Sequence, residues 1–337
     1  MLRRKRFQHL AHISVVGLGS GGITAVNHMI DSGVTGIEFL AVDTDEKALR
    51  RSLAPVNIFI PPADRRLTAA TGRETPHSLL GEALAGSDMV FLIGGLGGRT
   101  ATDLAPATAA IAREHEALTT AIVTFPFSFE GEGRARLARE AIRRLKKHLH
   151  TLIVVPNDRL LEMAGGQLAF HETYRLAHNI WHASIQGISE LVNAPGLVNV
   201  DFADVRAIMS GGGASIIATG KGRGQDRAQQ AAREATHSPY LDVTIDGARG
   251  ILFNISGGLD MSLHEVKQAA AVIRKRADAD ANIIFGATID GTLRDEIRIT
   301  VIATGCGLAL PERRSSQRQA DEQLQRTWME PSTLSYA

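Results

Sequence analysis

The chain has 337 residues, 44% of them hydrophobic and 22% charged, which excludes a disordered tail protein, a fibrous repeat and a disulfide scaffold. Thirty-seven basic side chains stand against 36 acidic ones, and the formal charge of +1 leaves no global field to draw in nucleic acid or anionic lipid. A single cysteine, Cys306, excludes an internal disulfide and fits a reducing, cytoplasmic setting. No apolar run reaches the roughly 18–20 residues that would insert across a bilayer. The basic start, Met1 to Arg6, is not followed by the apolar core of a signal peptide.

At roughly 100–200 residues per domain, two domains are expected. The first 160 residues alternate short apolar runs with helical stretches. Strands are predicted over 12–17, 37–42, 88–93, 118–124 and 152–155. Helices are predicted over 23–32 and 105–115, and a basic helix over 134–148. This alternation points to βαβ units in a Rossmann-like parallel sheet, which binds ligands at the carboxyl ends of its strands. Residues 167–193 read as one long helix of roughly 40 Å, stopped by Asn193-Ala194-Pro195-Gly196. A smaller α/β unit follows, with helices over 202–210, 226–236 and 262–277. Its strands are expected over 241–245, 250–255, 282–289 and 296–303. Beyond Thr304 the sequence is polar and reads as a tail.

Two glycine-rich loops fall at strand ends. Gly17-Leu18-Gly19-Ser20-Gly21-Gly22 satisfies G-x-G-x-x-G, and Asp43 ends the next strand 21 positions after Gly22. Glycines admit a ligand close to the backbone, and a helix N-terminus offers unpaired N–H groups to phosphate. A nicotinamide-type dinucleotide site, with Asp43 on the ribose, is one reading; a tight turn without ligand is another. The second loop, Gly94 to Asp103, favours a nucleotide triphosphate, because two such turns can grip one polyphosphate from two sides. The Walker A pattern is absent.

The order of these loops, followed by Val123-Thr124-Phe125-Pro126-Phe127-Ser128-Phe129-Glu130-Gly131, resembles the FtsZ family, the bacterial homologues of tubulin. Pro156-Asn157-Asp158-Arg159-Leu160-Leu161, Gln186-Gly187-Ile188, Pro195 to Val205 and Ala281 to Gly286 carry the resemblance further, over about residues 11–305. It implies a tubulin/FtsZ fold: a nucleotide-binding domain over 1–166, a central helix and linker over 167–194, an activation domain over 195–306 and a tail over 307–337. It implies GTP or GDP as ligand, with Mg2+ possible beside GTP. Gly17, Gly19, Gly21, Gly22, Gly97, Gly98, Arg99, Thr100 and Thr102 fall on the phosphate loops. Glu130 and Arg134 fall near the ribose and phosphate, Tyr174 on the residue that stacks on guanine, and His178 on the asparagine that reads the base edge. It also implies head-to-tail assembly, either with itself or with a conventional FtsZ, in which Asn199, Asp201 and Asp204 of one subunit meet the GTP of the next. From spacing alone, Asp201 and Asp204 read first as caps of the helix beginning at Phe202, and the resemblance turns the reading to catalysis.

The sequence departs from the family at its nucleotide pole. Where the family has G-G-G-T-G-T-G, the chain has Gly97-Gly98-Arg99-Thr100-Ala101-Thr102-Asp103, and strain of roughly 1–3 kcal/mol is expected wherever a lost glycine needed positive φ. Asp103 is expected to face the phosphates. Arg99 is expected to pair with phosphate, to fill its place, or to pair with Asp103. Ile23-Thr24 replaces G-N, Asp43-Thr44-Asp45 replaces N-T-D, and residues 69–76 replace a glycine-rich loop. An imidazole at 178 cannot copy an amide's paired contacts. The acidic loop keeps the family pattern. The expectation is therefore a filament protein, or a modulator of FtsZ filaments, with weakened or altered GTP binding. A fully active polymerising GTPase is the alternative.

Overall fold

Near-continuous Val, Ile and Leu runs suit strands buried on both faces, and six of them form one sheet. The structure, a computed structural model, describes residues 11–64, 75–163, 170–193, 196–210, 214–238 and 243–306. Strands β1 (Ile13–Leu18), β2 (Ile37–Asp43), β3 (Val56–Phe59), β4 (Met89–Gly95), β5 (Leu118–Phe125) and β6 (Thr151–Pro156) lie in the order β3-β2-β1-β4-β5-β6, all parallel. The order turns back between β1 and β4, which opens a crevice at their carboxyl ends.

The helices between them are α1 (Gly19–Asp31), α2 (Glu46–Leu49), α3 (Pro76–Leu84), α4 (Arg99–Glu114), α5 (Glu132–Leu145) and α6 (Asn157–Met163). Val16, Leu40, Val90, Leu92 and Val123 pack under α3, α4 and α5, against Leu80, Leu84, Leu104, Ile111, Ile142 and Leu145. Val15, Phe91 and Ile93, alternating with these along the strands, are equally buried and turn to the opposite face.

The long helix α7 (Phe170–Asn193) spans the middle of the chain. Gly187 lets it press on the second sheet, since a Cβ there would stand 2.6 Å from the Thr300 Cγ2. Helix α8 (Phe202–Met209) then leads into strand β7 (Ala214–Arg223), helix α9 (Arg227–Thr236) and the short pair β8 (His237–Ser238) and β9 (Val243–Thr244). Strand β10 (Gly250–Gly257), helix α10 (Leu263–Arg274), β11 (Asn282–Ile289) and β12 (Glu296–Cys306) complete the unit. The second sheet runs β11-β10-β12-β7, parallel between β10 and β11 and antiparallel elsewhere. The expected α/β class and the two sheets around a central helix are thus present. The expected tail lies outside the described residues. No helix among the described residues is long and apolar enough to cross a membrane.

Helix α1 begins at Gly19, not near residue 23, because Gly19 takes φ +70° and turns the chain from strand to helix in one step. Helix α4 begins at Arg99, not near 105. Its first turn is made of residues that join a helix more readily than the glycines they replace.

Candidate functional site

The crevice between β1 and β4 is lined by two helix N-termini, and the glycines around it divide into two kinds. Gly17 and Gly22 are packing residues: a Cβ on Gly22 would meet the Ile93 carbonyl oxygen at 2.6 Å, and one on Gly17 the Gly22 oxygen at 2.7 Å. Gly21 and Gly98 face open space. Beyond its chain neighbours and its own helix backbone, the nearest atom to a Cβ on Gly21 is the Gly95 nitrogen at 3.9 Å, and beyond its chain neighbours nothing lies within 4 Å of one on Gly98. At these two positions a ligand can approach the backbone. Gly98 is the N-cap of α4, and both helices aim unpaired N–H groups and partial positive charge into the crevice.

Gly97 holds φ +96°, and its N–H donates to the buried Thr102 Oγ1 at 3.0 Å, so Thr102 braces the loop. The Thr100 Oγ1 lies 3.0 Å from the Thr44 Oγ1, which ties the first turn of α4 to the end of β2.

The expected strain is absent. Arg99, Ala101 and Asp103 all lie in α4, and among the described residues only Glu116 and Asp295 combine positive φ with a side chain. The lost glycines stood where a helix continues, so no left-handed conformation is required. Asp103 does not face the crevice either; its carboxylate lies 3.8 Å from the Arg144 guanidinium of α5. Arg99 is exposed and has no ion-pair partner among the described residues. It does not pair with Asp103, whose carboxylate is turned to Arg144.

Glu130 accepts from the Phe127 N–H at 2.9 Å and pairs with Arg134, so both expected ribose-side residues sit at the mouth of the β5 loop. Asp158 adds a brace, accepting from the Ser128 N–H at 3.0 Å.

Asp43, read from the sequence as a ribose ligand, has a more pointed geometry. It is 2% exposed. Its Oδ1 accepts from the Thr44 and Asp45 N–H groups at 2.6 and 3.2 Å, while its Oδ2 is buried without a partner. Burial pushes its carboxyl up from the ordinary range, against the two backbone bonds and the nearby Ser20 hydroxyl, which favour the charged form. Among the described residues no group of three or more His, Cys, Asp or Glu is arranged to hold a metal by itself. An orphaned carboxylate oxygen beside a phosphate cradle nevertheless fits a hard cation that takes its remaining ligands from phosphate and water.

The Tyr174 side chain lies outside the described residues. His178 is 9% exposed and stacks on Trp181 at 5.7 Å between ring centroids, with His28 of α1 at 6.1 Å. His182 stands 6.0 Å from His28, so α1 and α7 meet through a histidine cluster that the sequence pattern did not disclose. Burial, helped by His28, pushes His178 down to about 4, and burial lowers His182 as well. The unfolded chain therefore takes up protons near pH 6.5 that the folded chain refuses. Stability is fully present above that pH and falls as pH drops towards 4. Denaturant titrations at pH 7 and pH 4.5 are expected to differ by about 2–3 kcal/mol through His178, and His178→Gln is expected to flatten that slope.

The acidic loop lies at the far end of the first sheet. Thr151, which starts β6, donates through Oγ1 to the Met209 carbonyl, and Arg206 donates to the Glu116 carbonyl ahead of β5. Helix α8 is thus docked at the amino ends of the strands, opposite the crevice. Leu197 and Val198 donate to the Ala287 carbonyl at 2.8 and 3.2 Å, and Ala287 donates back to Val198, which pins the loop to β11. Asn199 accepts from the Gly196 N–H at 2.7 Å and holds the loop's bend. Asp201 is the N-cap of α8, accepting from the Ala203 N–H at 3.3 Å, as the capping reading anticipated. Asp204 is half-buried in the first turn, and its carboxylate has no hydrogen-bond partner among the described residues.

The family model for the tubulin/FtsZ GTPase domain matches residues 12–165, and that for the FtsZ C-terminal domain matches residues 213–307. Among solved structures, the empty FtsZ dimer of M. jannaschii is 37% identical with a TM-score of 0.79, covering 89% of each chain. CetZ2 from Haloferax volcanii, solved as a GTPγS-bound protofilament, is 16% identical with a TM-score of 0.72, over 94% of this chain and 99% of its own. CetZ from Methanosaeta thermophila matches with the same identity and TM-score, over 96% of its own length.

Proposed function

The chain belongs to the tubulin/FtsZ family, and from that premise we propose that it binds GTP in the β1/β4 crevice and assembles head to tail into filaments. The observation that carries this reading is the separation of the two half-sites. The open cradle at Gly21 and Gly98 stands at the carboxyl ends of strands six to eight residues long, and Asp201 and Asp204 stand beyond their amino ends. That puts roughly 20–25 Å of sheet between them. An acid so placed cannot act on its own subunit's phosphate, so the chemistry requires a second copy whose acidic end faces the first copy's crevice. Such a contact is heterologous and does not close on itself, and its repetition makes a filament. The dimer formed by the M. jannaschii protein lends support to self-association.

We further propose that nucleotide binding is altered at the base more than at the phosphates. The cradle backbone keeps its glycine geometry at Gly19 and Gly97 and its open approaches, which supports phosphate binding. The departure lies at His178, which is neutral and packed on Trp181 where the family resemblance expects an amide. Mg2+ bound with GTP would offset phosphate charge during transfer to water.

Sedimentation and light scattering with and without Mg2+-GTP test the first proposal. Polymer is expected only with the triphosphate, and its absence across micromolar protein concentrations overturns the reading. Competition between GTP and ATP tests the second. A preference of about a hundredfold or less is expected, against the roughly 10⁴-fold of a site that reads a base edge through buried hydrogen bonds.

A further inference from the structure

We infer that Asp43 is a direct ligand of the divalent cation that accompanies the nucleotide phosphates, so that this chain takes its nucleotide as the cation complex and not as the bare anion. The inference rests on the nucleotide reading above and deepens it. Three observations carry it.

First, the Asp43 carboxylate is spent mainly on one side: Oδ1 takes two backbone N–H groups, while Oδ2 is buried without a hydrogen bond of normal length and has only the Ser20 hydroxyl near the carboxylate. A buried acceptor left unpaired is costly, and a carboxylate oxygen especially so, which marks the position for a partner that arrives with the ligand.

Second, the surroundings are those of a hard-cation site beside phosphate. Ser20, in the first turn of α1, stands next to the carboxylate. Thr44 and Thr100 bring two further hydroxyls, 3.0 Å apart, between the end of β2 and the first turn of α4. All are oxygen donors, which suits Mg2+ or Mn2+ and disfavours softer metals. Mg2+ typically takes one or two carboxylates and fills its shell with phosphate oxygens and water, so a lone buried aspartate is an ordinary protein share.

Third, the charges conflict unless a cation is present. Helices α1 and α4, of 13 and 16 residues, aim positive ends at the crevice and favour phosphate, while Asp43 beside them repels it. A divalent ion between the carboxylate and the phosphates resolves both. In the family pattern this position is an asparagine, whose N–H can donate to phosphate directly. The aspartate here lacks that donor, so it exchanges direct recognition for recognition through the ion.

The test is Asp43→Asn, nearly identical in shape, compared with wild type by titration of a fluorescent GDP analogue in Mg2+ and in EDTA. Wild type is expected to lose about a hundredfold in affinity when the cation is withdrawn, and Asp43→Asn about tenfold or less. Equal cation dependence in the two proteins overturns the inference and leaves the nucleotide site standing. No binding by either protein in Mg2+ overturns both. A second measurement needs no variant: Mn2+ titrated into GDP-loaded wild type, followed by electron paramagnetic resonance, is expected to bind about tenfold or more tightly than to GDP alone. Equal affinity for protein-bound and unbound GDP overturns the inference independently.

Discussion

Asp204→Asn is expected to slow GTP hydrolysis by about a hundred- to a thousandfold while leaving nucleotide binding to the monomer unchanged. The loop divides its labour among three residues that the sequence pattern groups together. Asn199 is committed to the Gly196 N–H and Asp201 to the Ala203 N–H, so both are partly structural. Asp204 sits in the first turn of α8 with its carboxylate unengaged among the described residues, so it can reach a water outside its own subunit. Asp201→Asn is expected to keep its cap, because asparagine caps as well as aspartate, and Asp201→Ala to lose cap and chemistry together. Steady-state phosphate release and nucleotide affinity separate these effects. A mixing experiment tests the arrangement itself. A cradle-defective variant such as Gly98→Val and an acid-defective Asp204→Asn are each expected to be inactive alone. In an equal mixture about one contact in four joins a sound cradle to a sound acid, so about a quarter of the activity is expected to return. Full activity in Asp204→Asn, or no recovery in the mixture, contradicts a site shared between copies.

The parallel sheet was legible because apolar runs covered on both faces leave a continuous hydrophobic signature, as at Met89 to Ile93. Strand β7 was not legible, and the reason is local. Its sequence ends in Thr-Gly-Lys-Gly-Arg, which reads as a loop, yet the glycines are there because α9 lies against the strand. A Cβ on Gly220 would stand 2.1 Å from the Ala231 carbonyl oxygen, and one on Gly222 2.0 Å from that of Arg227. Those contacts come from a helix that follows in the chain, so no window over β7 contains the cause. The site shows the same limit. Motif, spacing and the family resemblance brought Gly21, Gly98, Glu130, Arg134, Asp201 and Asp204 into view, left Arg99 between phosphate and Asp103, and put the charge of Asp103 among the phosphates. Backbone conformation places both on a continuing helix, with Asp103 turned to Arg144. The orphaned Asp43 oxygen and the histidine cluster of α1 and α7 depend on packing between distant segments and leave no periodic trace.

Arg227→Met is expected to destabilise the protein by about 3–5 kcal/mol, the range for breaking a buried ion pair by removing one partner. Arg227 is 5% exposed at the start of α9, where a cation opposes the helix dipole, so its presence needs a specific electrostatic reason. That reason is Glu265, whose Oε1 lies 2.7 Å from the Arg227 Nε, with Asp260 at 2.6 Å from Nη1. The Glu265 hydrogen bond pushes the Arg227 guanidinium's pKa further up despite burial. Burial works against the Glu265 carboxylate, but Arg227 and Ser262 together hold it below the usual range. The carboxylate also accepts from the Ser262 N–H at 2.8 Å, so one side chain closes the N-terminus of α10 and neutralises that of α9. Asp260 and Asp295 are largely exposed and screened, which leaves Glu265 as the partner whose isolation would cost most. The double variant Arg227→Met/Glu265→Leu is therefore expected to recover much of the loss, because an apolar pair of similar volume has no charge left to strand. Chemical denaturation of the three proteins distinguishes the cases. A single-variant loss below about 1 kcal/mol would mean that water reaches the pair and screens it as it screens surface pairs. Recovery in the double variant would mean that the arginine matters because its carboxylate partner is buried, and not because α9 requires a cation at its first turn.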